Sequence, residues 1–211
     1  MKRIDKKIKE WKKIESKLQV GDIILVKETK IYSKIIRKVT KSHWSHAVLV
    51  FFIPTKKMPF KNILVVGAET HGIEIHRIQK FTQKFKENYD LGVKRIPDLS
   101  NETKERALSF MFNNVDIPYD YIRLLAFLLS YITNKLKGKK DDKHLKKYLV
   151  NKDAFICSSF IQKAFFEAMP KDKKKSTLFT NKKDTEFFME ETTPADIARS
   201  KNSKWIYNPH R

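Results

Sequence analysis

The first eighteen residues, MKRIDKKIKEWKKIESKL, carry Ile4, Ile8, Trp11, Ile14 and Leu18 at steps of four, three, three and four, with lysines filling the positions between. That period predicts an amphipathic helix. Two uses are open to it: capping the domain's own core with its basic face in water, or lying on a membrane surface or a partner. Gly21 ends the helix, and residues 22–27 (DIILVK) read as a first strand. In the basic stretch that follows, Ile31, Ile35, Ile36 and Val39 suggest a short helix. Residues 47–53 (AVLVFFI) form an unbroken apolar run stopped by Pro54, and residues 62–68 (NILVVGA) form another, so both predict buried strands. Residues 73–78 alternate as a half-buried strand does, and residues 91–96 (LGVKRI) supply a fifth.

After Pro97 the period becomes helical. Ser100 is placed as an N-cap with Glu102 in the first turn, and Ala107, Leu108, Met111 and Phe112 make the stripe. Further helices are expected over residues 121–136 and over residues 155–169, the latter ended by Pro170. The stretch ETTPADIARSKNSKWIYNP closes with a short strand. With no internal repeat and no Ser/Gly-rich linker, the pattern predicts one α+β domain over residues 20–200. Appended to it are the basic helix of residues 1–19, a Lys-rich insertion near residues 137–153 and a tail at residues 201–211.

The 211 residues hold 45 Lys plus Arg against 24 Asp plus Glu, a formal charge of +21, and 41% are hydrophobic. So much apolar material argues for a packed core rather than disorder. The charge invites a polyanion, an anionic membrane surface or nucleic acid. No helix-turn-helix spacing, RNP-like aromatic motif or paired Cys/His zinc pattern accompanies it, so no specific nucleic-acid partner is expected. The most apolar stretch, residues 124–132, has nine residues. A bilayer needs roughly 20. No apolar h-region follows the basic N-terminus, and the expectation is a cytoplasmic protein, with peripheral contact to a membrane surface as the alternative.

A single Cys, Cys157, excludes an intramolecular disulfide and a Cys-rich metal module. It falls at the predicted start of a helix, where free N–H groups and the positive end of the dipole favour an anionic nucleophile, and where the Ser158 N–H could hold an oxyanion. The competing reading is a small buried hydrophobe. A thiol nucleophile needs a base. Of six histidines, His144 lies in the polar insertion and His210 at the chain's end, while His46 stands at the mouth of an apolar strand. Glu69, at the end of another such strand, must find a partner, either an imidazole or one of the many lysines. Metal ligation by His43 with His46, or His71 with His76, lacks a closed ligand set of usual spacing, so no metal and no cofactor are expected.

Taken in order, Gly21-Asp22 before an apolar strand, Ser45-His46 before another, Glu69 with Gly72 after it, Tyr119-Asp120, Cys157-Ser158 and Thr193-Pro194-Ala195-Asp196 resemble the permuted papain-like amidases. These are circularly permuted relatives of the NlpC-type cell-wall peptidases, similar in layout to the lecithin retinol acyltransferase group. The resemblance spans roughly residues 20–200. It implies an antiparallel sheet or barrel of papain-like type packed against helices, with the helix of residues 1–19 as an extra. It further implies Cys157 as nucleophile, His46 as general base and then acid, Glu69 as the group orienting the imidazole, and Tyr119 as a lining residue. The expected chemistry is a thiol-dependent amidase or peptidase reaction through a thioester, on a small-molecule, peptide or acyl-lipid substrate. The alternatives are a lipid acyltransferase or acyl hydrolase at a membrane surface, and a non-catalytic, polyanion-binding protein with the same fold.

Overall fold

A computed structural model of the chain describes residues 2–58, 61–69, 72–115, 157–170 and 192–210. The helix expected at residues 121–136, the insertion near 137–153, and Tyr119, His71 and His144 lie outside the described residues. The elements run α1 (Lys2–Glu15), β1 (Ile23–Lys27), α2 (Ile31–Val39), β2 (His46–Phe52), β3 (Leu64–Glu69), β4 (Gly72–Arg77), α3 (Gln79–Thr82), β5 (Asp90–Arg95), α4 (Asn101–Asn113), α5 (Cys157–Ala168), α6 (Pro194–Arg199) and β6 (Lys204–Tyr207). The strands form one sheet in the order β4-β3-β2-β1-β5-β6, antiparallel at every pairing.

The apolar runs are continuous because the sheet is buried on both faces. Ile23, Leu25, Ala47, Leu49, Val66 and Ala68 face α4 and α5, where they meet Ala107, Met111, Phe160, Ile161, Ala164 and Phe165. The alternate residues Ile24, Val26, Val48, Val50 and Val65 face Trp11, Leu18, Phe81, Phe85 and Tyr89 on the other side. Each such aliphatic side chain contributes about 1.5–3 kcal/mol of transfer free energy on burial. The amphipathic stripe of α1 is spent on this second face: Trp11 is buried, with its ring edge-on to Phe85 at 6.3 Å and to Tyr207 at 6.5 Å.

Several of the ordered motifs have structural work. Gly21 sits at φ +89°, which L side chains rarely adopt, and its N–H bonds the Val50 carbonyl. Asp22, next to it, accepts from Arg95 Nε at 2.6 Å and Nη2 at 2.8 Å, tying β1 to β5. Gly67 has no room for a methyl group, since a Cβ there would lie 2.8 Å from Val48 Cγ1. The Thr193-Pro-Ala-Asp196 string is a capping box. The Thr193 hydroxyl accepts from the Asp196 N–H, and the Asp196 carboxylate accepts from the Thr193 N–H, with Pro194 in the first turn.

A helical segment and a buried lysine went unread in the sequence. The segment between β4 and β5 is helical, α3 followed by a 3-10 turn over Gln83–Glu87, and it buries Phe81 and Phe85. In β5, Lys94 is 1% exposed. Its ammonium donates to the carbonyls of Ile197 at 2.9 Å, Ala198 at 3.1 Å and Ser200 at 2.7 Å, and lies 5.2 Å from the centre of the Trp205 ring. Those carbonyls close α6, so a cation there meets the negative end of the helix dipole.

Candidate active site

β2 and β3 pair with Leu49 opposite Val66 and Val50 opposite Val65. Continued in that register, His46 falls directly across from Glu69, which is how two residues 23 apart come to face one another. Opposed side chains on neighbouring antiparallel strands lie about 5 Å apart at Cβ. His46 Nε2 and Glu69 Oε1 are 3.1 Å apart, both side chains buried. Ser45 fixes the approach. Its hydroxyl donates to the Val26 carbonyl and accepts from the Glu28 N–H, pinning the entrance of β2 to the end of β1.

Cys157 is the first residue of α5 and is 3% exposed. It lies within electrostatic reach of His46. Because Nε2 is engaged by Glu69, Nδ1 is the ring nitrogen left for sulfur. The Ser158 hydroxyl donates to the Thr192 carbonyl at 2.6 Å, so the capping-box segment braces the first turn of α5. That leaves the Ser158 backbone N–H, not its hydroxyl, as an oxyanion donor. Of the five residues singled out in the sequence, His46, Glu69, Cys157 and Ser158 lie in one neighbourhood, and Tyr119 lies outside the described residues.

Both readings of Glu69 hold at once. Its second oxygen, Oε2, is 3.2 Å from Lys80 Nζ, on the helix that the sequence did not reveal. Lys80 Nζ is also 2.6 Å from His76 Nε2. Burial opposes charge on His46, but the Glu69 carboxylate and then Cys157 outweigh it and raise the imidazole well above its ordinary value. Burial would raise Glu69 too. His46 and then Lys80 hold it down instead, at about 2. An open hollow of about 530 Å³ lined by Asn62, His76, Arg77, Gln79, Lys80 and Gln83 reaches this lysine but neither His46 nor Cys157, so it is not where the thiol would act.

These shifts set a pH dependence. The raised His46 contributes stability fully below its unfolded value near 6.5, and the contribution is lost as pH rises through the folded value. The depressed Glu69 contributes above about 4.5, and its share is lost as pH falls toward 2. Glu69→Gln removes the first attraction on the imidazolium. The His46 ring is therefore expected to titrate at lower pH in the variant than in the wild type, read from its Cε1–H resonance; an unmoved titration would show that the carboxylate does not hold the ring's charge.

A six-stranded antiparallel sheet with its helices, entered from an N-terminal helix, is the fold of the metalloprotein YiiX from Escherichia coli O157:H7, with a TM-score of 0.58 over 90% of this chain and 97% of that one, at 14% identity. At that identity the likeness concerns the fold. Residues 17–125, just over half of the chain, match the family described as permuted papain-like amidase enzyme, YaeF/YiiX, C92. The chain belongs to that family. The matched segment contains His46 and Glu69 and stops short of Cys157. No curated protein matches the chain closely enough to be called a relative.

Proposed function

We propose that the protein is a thiol-dependent hydrolase of amide or ester carbonyls, with Cys157 as nucleophile, His46 as base and then acid, and Glu69 as the residue that orients the imidazole. One observation carries the reading: a buried imidazole hydrogen-bonded to a carboxylate and within electrostatic reach of the chain's single thiol. The His46 Nε2–H donates to Glu69, fixing the tautomer and the ring plane. Nδ1 holds the proton that leaves the thiol, so sulfur attacks the carbonyl carbon as a thiolate. The oxyanion that forms meets the Ser158 N–H at the start of α5. Collapse breaks the bond to the leaving group, which takes the proton from Nδ1, and a thioester remains. Water, deprotonated by the same nitrogen, attacks the thioester and releases the acid and the thiol. The test is labelling by iodoacetamide together with turnover of an activated ester: both are expected to depend on Cys157, and turnover that survives Cys157→Ala overturns the reading.

A second reading concerns where the substrate resides. No helix among the described residues is long and apolar enough to cross a membrane. α2, however, leaves Ile31 78% exposed with Tyr32 and Ile35 beside it, between the exposed Lys30, Lys34 and Lys38. Tyr32 lies within electrostatic reach of His46. An apolar ridge flanked by cations fits an anionic lipid surface, and basic residues gain about 1 kcal/mol each near one. We infer that α2, rather than α1, would present the site to acyl-lipid substrates. The protein is expected to sediment with phosphatidylserine vesicles and not with phosphatidylcholine vesicles, and Ile31→Ser with Ile35→Ser is expected to abolish it. Absence of sedimentation with either lipid would favour a dissolved amide. Deletion of residues 1–18 is a poor probe, because it strips Trp11 and Leu18 from the core.

A further inference from the structure

His43, Asp90 and His210 come from three distant parts of the chain: the loop before β2, the first residue of β5 and the segment after β6. Their side chains converge. His43 Nε2 is 2.9 Å from Asp90 Oδ2 and 2.8 Å from His210 Nε2, and His210 Nε2 is 3.9 Å from Asp90 Oδ2. The segment after β6 is held here, the His210 imidazole 3.9 Å from that of His43, centre to centre.

Protons satisfy this arrangement only weakly, through one hydrogen on His43 shared at poor angles between Asp90 and His210. A ring nitrogen carries either a hydrogen or a lone pair in the ring plane. If His43 Nε2 carries the hydrogen and donates to Asp90, it has no lone pair for His210. If it accepts from His210, its lone pair faces a carboxylate oxygen at 2.9 Å. Two protonated rings would set N–H against N–H at 2.8 Å. A cation removes the conflict, since all three atoms can then offer lone pairs to one point. Ligands about 2.0–2.1 Å from a tetrahedral zinc lie about 3.3 Å from one another, and the three separations here straddle that value.

We propose that His43, Asp90 and His210 form a binding site for a divalent transition-metal ion of the zinc class, distinct from the thiol site. Two imidazoles and one carboxylate are donors such ions favour. His210 is about half-exposed, so the remaining coordination position opens to water. Asp90 is buried, and its other oxygen is paired with Lys7. Lys27 Nζ stands 3.6 Å from Oδ2. Two ammonium groups beside the carboxylate weaken the site, and the expected affinity is micromolar rather than that of a closed structural zinc centre. The bound ion would lock the loop carrying His43 and Trp44 onto β5, where Gly92 leaves room for the Trp44 ring, and would anchor the segment after β6.

The experiment is calorimetric titration with Zn2+ of the full chain carrying Cys157→Ser, so that the thiol cannot contribute. One equivalent is expected to bind. Affinity is expected to fall at least about tenfold when His210→Ala is added. Zn2+ is expected to raise the melting temperature of the Cys157→Ser chain and not that of the double variant. His210 sits at the partly exposed end of the chain, so its replacement leaves the core intact. Asp90→Asn provides a second reduction of affinity at a different ligand. Binding that is equal with and without His210, or that is present in the wild type and vanishes with Cys157→Ser alone, overturns the site.

Discussion

Cys157→Ala is expected to abolish turnover of an activated ester or thioester, and His46→Ala to lower it about a thousandfold, within the range measured for loss of a positioned base. The difference follows from what each change removes. Without sulfur no acyl-enzyme can form. Without the imidazole the thiol remains, but an ordinary thiol is only a few per cent ionised at pH 7, and the leaving group loses its proton donor. Alkylation of Cys157 by iodoacetamide separates these contributions, because it needs the thiolate and no proton donor. It is expected to slow at least about tenfold in His46→Ala at pH 7 and to recover as pH rises. Equal alkylation rates in the two proteins at pH 7 would mean that the pairing of His46 with Cys157 does not activate the sulfur.

The largest effect on stability is expected at Lys94. Lys94→Met keeps the length and apolar stem of the side chain but leaves the carbonyls of Ile197, Ala198 and Ser200 without its ammonium. Hydrogen bonds from a charged donor contribute about 1.5–3 kcal/mol each, not additively, and a net loss of about 3 kcal/mol is expected. For a chain of this size that corresponds to a fall in Tm of roughly 6–12 °C. The damage should travel to α5, since α6 begins two residues after Thr192, the acceptor of the Ser158 hydroxyl. An unchanged Tm would show that water replaces the ammonium at the end of α6 without cost.

The parts of this molecule that were legible in its sequence are those written in periodicity. The apolar runs around Ile24, Val48 and Val65 announce strands because the sheet is covered on both faces, and the spacing of Ile8, Trp11, Ile14 and Leu18 announces α1. Deciding what α1 covers needed the third dimension. The neighbourhood of His46, Glu69 and Cys157 was legible as an ordered set of short motifs, none of them informative alone. Lys80 and Lys94 were not. One lies on a helix whose signal is only two phenylalanines four residues apart, and the other looks like the polar half of an alternating strand until α6 arrives with its carbonyls. α6 itself had a readable signature, a threonine, a proline and an aspartate at N-cap, N1 and N3. His210 was set aside because it lies near the end of the sequence, which says nothing about where β6 carries it.

Lys94 also bears on how the protein is made. The hairpin-like pairing of β2 with β3 joins residues 46 and 69, so imidazole and carboxylate can meet while most of the chain is still on the ribosome. The partners of Lys94 come 103 residues and more after it, and β6, which covers the free edge of β5, follows them. Until then β5 is an open strand edge with a lysine that has no carbonyls to hold, the kind of surface on which nascent chains pair with the wrong neighbour. Cys157, too, is synthesised long after His46 and Glu69.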